Sequence, residues 1–129
     1  MKGLVLLAAI GLCCLASPYQ RGRKGAEVQI LQTKARRSED KIVLDGRIRA
    51  GGEKPLKGLV LAFDFLSDQG EVLTTEKEQI SDDTVDPGDE LPFHAETLNP
   101  PGSIRYRIRA FDGADRELHV GAGGPYIID

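Results

Sequence analysis

From Ala26 onward, apolar and polar side chains alternate with a period of two, in runs bounded by glycine, proline and aspartate. No segment sustains a helical repeat, so the pattern predicts an all-β domain over residues 26–129. The first run, Glu27 to Lys34, places Val28 and Ile30 on one face. A polar turn from Arg36 to Asp40 leads into Lys41 to Ala50, where Ile42, Leu44, Gly46 and Ile48 alternate with Lys41, Asp45, Arg47 and Arg49. One face of such a strand is buried and the other is wet. Gly58 to Leu66 is the most apolar run, with Leu59, Leu61, Phe63 and Phe65 on one side and Val60, Ala62, Asp64 and Leu66 on the other. It predicts a central strand.

Ser67 to Gly70 has the residues of a hairpin turn. Glu71 to Ile80 follows, charged through its second half as an exposed edge strand should be. Ser81 to Glu90 is acidic, is punctuated by Pro87 and Gly88, and predicts a loop. Pro92 marks the strand Leu91 to Glu96 as an edge. After the turn Asn99 to Gly102, Ile104, Tyr106, Ile108 and Ala110 alternate with Arg105, Arg107 and Arg109. Asp112 to Asp115 turns the chain into Arg116 to Val120, and Tyr126 to Ile128 is a last apolar piece. About seven strands at this spacing predict an immunoglobulin-like or fibronectin-type β-sandwich. In it Leu61, Phe63, Tyr106 and Ile108 are expected to meet across two packed sheets.

The first residues follow a different rule. Lys2 precedes an apolar or glycine run from Gly3 to Ala16, the charge-then-apolar order of a secretory signal peptide over residues 1–16. Cleavage after Ala16 would put Cys14 and Ala16 at the positions a signal peptidase reads. The competing reading is a retained anchor, but the run is shorter than the ~20 apolar residues that span a bilayer. Membrane contact is therefore expected only through this leader, if it is uncleaved. Lipidation is disfavoured, because Cys13 follows Leu12 and Cys14 follows Cys13 rather than a small residue. Residues 17–25 carry Arg21, Arg23 and Lys24 beside Gly22 and Gly25, which describes a flexible basic tail. The expected destination is secreted or periplasmic.

Both cysteines lie in the leader, so the domain has no thiol, and apolar burial must stabilise it without disulfides. The roughly 110 residues after the leader suffice for one core. One of the 17 basic residues and none of the 20 acidic ones lies in the leader, leaving a net charge of −4 (16 − 20). That balance argues against nucleic acid as the partner.

Three stretches carry a family resemblance. Val43-Leu44-Asp45-Gly46-Arg47-Ile48-Arg49 places a glycine between apolar strand positions. Gly58 through Phe65-Leu66-Ser67-Asp68-Gln69-Gly70-Glu71-Val72-Leu73 joins an aromatic strand to a returning strand through a turn. Asp86-Pro87-Gly88-Asp89-Glu90-Leu91-Pro92-Phe93 is a proline-glycine turn before a phenylalanine. Together they resemble bacterial FxLYD-type domains, immunoglobulin-like sandwiches of exported and membrane-tethered proteins. Leu66, Ser67 and Ala50 depart from that pattern, where tyrosine, aspartate and asparagine are usual. Tyr106 to Ala110 is also similar to the penultimate strand of fibronectin type III domains. Both resemblances imply a sandwich with a binding or structural role and no catalytic residue.

Candidate chemistry is sparse. Nucleophilic catalysis would need a serine working with His94 or His119, yet no serine occupies a glycine-flanked elbow and both histidines fall in ordinary strand runs. Two distant histidines without cysteines do not make a zinc site. Asp82, Asp83, Asp86, Asp89 and Glu90 are hard oxygen donors, but their spacing fits no calcium loop, so a solvated acidic segment is expected. The row Arg105, Arg107 and Arg109 is the candidate partner-docking feature, its members on one face roughly 7 Å apart. Guanidinium groups suit partner carboxylates or an anionic glycan. The plainer alternative is pairing within the sheet, with Asp64 on a neighbouring strand. Surface pairs of that kind are worth ~0.2–1 kcal/mol each, so their loss should barely affect folding.

The sequence thus predicts an exported β-sandwich acting as a binding or assembly module through protein contacts, without catalysis, metal or cofactor. A carbohydrate- or surface-polymer-binding accessory domain is the alternative. It would need a flat platform of exposed aromatics, and the chain has no tryptophan.

Overall fold

The computed structural model describes residues 25–129, so the leader at 1–16 and the basic tail at 17–25, except Gly25, lie outside the described residues. The strands are β1 (Val28–Ser38), β2 (Lys41–Ala50), β3 (Leu56–Leu66), β4 (Val72–Val85), β5 (Glu90–Leu98), β6 (Arg105–Phe111), β7 (Glu117–Leu118), β8 (Val120–Gly121) and β9 (Tyr126–Ile127). No helix occurs among the described residues. One sheet has the order β5-β2-β1-β8, and the other has β4-β3-β6-β7 with β9 also on β6. The apolar run of β3 is central and the Pro92 strand β5 is an edge, as the alternation predicts.

The inward residues of both sheets form one buried cluster. Phe93 of β5 meets Phe63 of β3 at a ring separation of 5.6 Å. Thr33 of β1 shares a 2.7 Å hydrogen bond with the hydroxyl of Tyr106 on β6, which satisfies the polar tip of a fully buried ring. The four side chains expected to meet across the sheets need a correction. Leu61, Phe63, Tyr106 and Ile108 are all buried, but β3 and β6 are neighbours in one sheet, with Phe63 opposite Ile108. Their counterparts across the core come from β1, β2 and β5.

Irregular pairing explains where the strands outrun the sequence reading. In β1 the register shifts between Ile30 and Gln32, so Leu31 is left on the surface while Thr33 and Ala35 face Gly46 and Leu44. The bulge restores the inward phase and carries β1 through Arg36 and Arg37, where a turn was expected; the turn shrinks to Glu39 and Asp40. The segment Ser81 to Val85 is likewise the end of β4, not the start of a loop. Shifts on either side of Leu59 keep β4 paired until Val85 lies opposite Leu56. Gly58, at a φ of 86° and close to the backbone of Gly113, takes the backbone conformation this needs. The acidic side chains of β4 are accommodated because it is an exposed edge.

Gly46 has a packing reason. A Cβ there would collide with the Phe93 ring and the carbonyl of Gln32, so only glycine lets Phe93 lie across β2.

The run after Asp115 departs furthest from a simple hairpin. Leu118 and Glu117 pair with β6, after which the His119 carbonyl accepts hydrogen bonds from the Glu27 and Val28 amides and β8 runs parallel to β1 in the other sheet. The chain returns to β6 where Ile108 donates to Gly123 and β9 pairs with Arg105 and Tyr106. Asp129 finally pairs with Ala35 and Arg37 of β1. The expected strand Arg116 to Val120 is therefore split between the sheets.

Candidate functional site

Opposed residues on paired strands share a face, so the register fixes the outer surface of the larger sheet. Asp64 lies opposite both Arg107 and Thr75, Ala62 opposite Arg109 and Lys77, Leu66 opposite Arg105, and Phe111 opposite Glu117. At its centre Asp64 is only 1 % exposed. Its Oδ2 accepts hydrogen bonds from Arg107 Nε (3.1 Å) and Nη2 (2.9 Å) and from Arg109 Nε (2.8 Å). Its Oδ1 accepts from Arg109 Nη2 (3.0 Å) and Thr75 Oγ1 (2.7 Å). Burial by itself would raise the Asp64 pKa, but the bonds from Arg109, Thr75 and Arg107 outweigh it and hold the carboxyl below its ordinary value. The same pairing pushes Arg109 up.

Two of the three row arginines are thus anchored within the sheet. Arg105 forms no ion pair among the described residues. The anchoring places these pairs beyond the open surface pairs expected, because their shared carboxylate is covered. Removing both guanidinium groups would take four of the five hydrogen bonds to Asp64 together with the cover that buries it, a cost of ~1.5–3 kcal/mol for bonds to a charged group.

Beside this cluster, the Lys77 ammonium and the Arg109 guanidinium lie 5.2 and 5.4 Å from the centre of the Phe111 ring, within cation–π range. Among the described residues, the register sets Lys77, Arg105, Arg107 and Arg109 against Asp64 and Glu117 on this face, a local excess of two positive charges on an acidic chain. Along the β6 margin of this face a groove of ≈ 470 Å³ opens between Arg107 and Arg109 on one side and Glu117 and His119 on the other. It exists because the chain leaves β6 after Leu118 and returns only at Gly123.

The histidines are separate. His94, on the exposed face of the smaller sheet, is bracketed by Asp45 (2.6 Å to Nδ1) and Glu96 (3.2 Å to Nε2). Its pKa is raised chiefly by the bond to Asp45 and then by the one to Glu96. His119 contributes its backbone amide to Glu27 Oε1 at 3.0 Å. That bond, the largest cause, lowers the Glu27 pKa, and Arg116 adds to the effect by bonding Oε2 at 3.0 Å. In the acidic segment, Asp83 and Asp86 have their amides bonded to Ser81 and Asp89 side chains. Among the described residues no group of three or more His, Cys, Asp or Glu is placed to hold a metal ion. The Glu27–Arg116 and Asp45–His94 pairs were missed in the sequence; only the strand pairing brings them together.

No family model and no curated protein matches the chain. Solved structures with a partial likeness include a Bacteroides uniformis beta-glucuronidase, at 16% identity and a TM-score of 0.45 over 73% of this chain and 12% of that one. A Pseudomonas fluorescens alkylpurine DNA glycosylase AlkC is 17% identical, with a TM-score of 0.42, over 76% of this chain and 31% of that one. A Kluyveromyces marxianus beta-glucosidase is 15% identical, with a TM-score of 0.36, over 75% and 13% respectively. The chain thus spans a small part of each.

Proposed function

We propose that this protein is an exported, immunoglobulin-like sandwich module that docks a protein partner on the outer face of its larger sheet. The observation that carries the reading is the arginine face. A chain with a net negative charge concentrates Lys77, Arg105, Arg107 and Arg109 on one surface, and uses a buried carboxylate to fix two of them in place. Side chains held before encounter lose less freedom on binding, and a local positive field speeds approach of an acidic partner. The immunoglobulin-like assignment is supported by the strand order, in which β2 lies between β1 and β5 while β3 lies beside β6, with connections crossing between sheets. The charge-then-apolar leader supports export to the periplasm or beyond.

A photo-activated cross-linker placed at Lys77 in the native host tests the proposal. A discrete protein adduct should form from that position but not from Arg47 on the other sheet, and Arg105→Glu should abolish it without changing the melting temperature. Adducts from neither position, or an adduct indifferent to Arg105→Glu, would refute it.

A further inference from the structure

The groove beside β6 specifies what the docking face recognises. Arg107 and Arg109 spend Nε and Nη2 on Asp64, and among the described residues no hydrogen bond engages Nη1 of either. One carboxylate is therefore shared by two guanidinium groups, leaving unspent donors and one unit of positive charge in side chains whose planes are already fixed. Ile108, Leu118 and Val120 line the same groove. Such apolar neighbours displace water and strengthen a charge-assisted bond. The volume lies within the ~300–1,000 Å³ typical of ligand sites. Glu117 on the opposite wall offsets that unit of charge, so an occupant is held by the directed guanidinium donors more than by the net field.

We infer that this groove seats a carboxylate side chain, Asp or Glu, of an extended acidic segment in the partner, held by the free Nη1 groups of Arg107 and Arg109. The inference rests on the docking reading above and names the chemistry of its partner. Phosphate and sulfate would meet the same donors and the same Glu117 carboxylate, and competition separates them from the peptide.

The test is a titration of the full chain with a terminally capped hexaglutamate peptide, followed through the side-chain Nε–H resonances of the arginines. The Arg107 and Arg109 signals should move while those of Arg47 and Arg49 stay still, and the affinity should fall as salt rises from about 0.01 to 0.15 M. Arg107→Lys keeps a charge beside Asp64 but loses the planar fork, and should weaken binding about fivefold. Glu117→Gln leaves the Asp64 cluster untouched and should tighten binding about threefold. Signals that do not move, or an affinity unaffected by Glu117→Gln, would overturn the inference. So would inorganic phosphate competing at lower concentration than the peptide. Loss of peptide binding with the Lys77 adduct intact would sink the carboxylate assignment alone. Peptide binding without any adduct would sink the docking reading and leave the groove.

Discussion

The two outer faces of the molecule carry similar residues and use them in opposite ways. On the smaller sheet, charges pair across β2 and β5 in open solvent. Lys41 meets Glu96 at 3.5 Å, Asp45 meets His94, and Arg47 and Arg49 share Glu90 at 3.6 and 3.4 Å. Every partner there is about half exposed, so the ladder neutralises itself and contributes little to stability. On the larger sheet the carboxylate of Asp64 is buried beneath its arginines, and the cations outnumber the anions. The difference shows that the number of ion pairs matters less than the solvent exposure of the carboxylate. A buried acid turns two flexible side chains into a fixed surface, whereas exposed pairs only cancel charge.

The sharpest way to break this contrast is to remove matched arginine pairs. Arg107→Ala with Arg109→Ala should lower the unfolding free energy by ~1.5–3 kcal/mol in urea denaturation, because four of the five hydrogen bonds to the Asp64 carboxylate are lost together while its exposure to water limits the cost. Arg47→Ala with Arg49→Ala should cost ~0.2–1 kcal/mol per pair lost. Equal losses would erase the distinction between the faces.

Asp64→Asn should have the next largest effect, of ~0.5–1.5 kcal/mol, because the amide keeps one acceptor oxygen for the cluster. It also carries a pH signature. The Asp64 pKa is depressed in the folded state, so its contribution is present above the unfolded carboxyl value and is lost as pH falls through the folded one. Stability measured from neutral pH into the acid range should therefore fall more steeply in the parent than in Asp64→Asn. Parallel profiles would show that Asp64 is not the titrating group.

The smallest effect belongs to His94, whose raised pKa gives the opposite sign. Its contribution is present below the unfolded imidazole value and disappears as pH rises through the folded one. Melting temperatures of His94→Gln should lose that slight dependence around neutrality and otherwise match the parent. A large loss would mean that the exposed ladder is more than self-neutralising.

Much of this arrangement is legible from alternation alone. The bounds of β2, the central position of β3, the edge status of β4 and β5, and the pairing of Asp64 with the row arginines follow from which side of a strand each residue occupies. What alternation cannot supply is the point where it slips. The bulge at Leu31 and the shifts around Leu59 lengthen β1 and β4 beyond their apparent ends, since an extra residue reverses the pattern that marks a strand. The buried state of Asp64 was also hidden, because burial depends on arginines 43 and 45 residues away folding over it. Glu27 and Arg116, 89 residues apart, meet only after the last strand has crossed between sheets. Short pieces such as β7 and β8 hold too few residues to show any period.

That crossing has a mechanical consequence. The two sheets are like the covers of a book whose spine is the C-terminal run, sewn alternately to β6 and to β1 from Glu117 to Asp129. Parting them there means unpicking every stitch in turn, while the margins formed by β4 and β5 are joined at one end only, by the turn Asp86 to Asp89 and its bonds to Ala50. Thermal breathing should therefore open the fore-edge first, and amide exchange should be faster along β4 than in the β6 amides held by the spine.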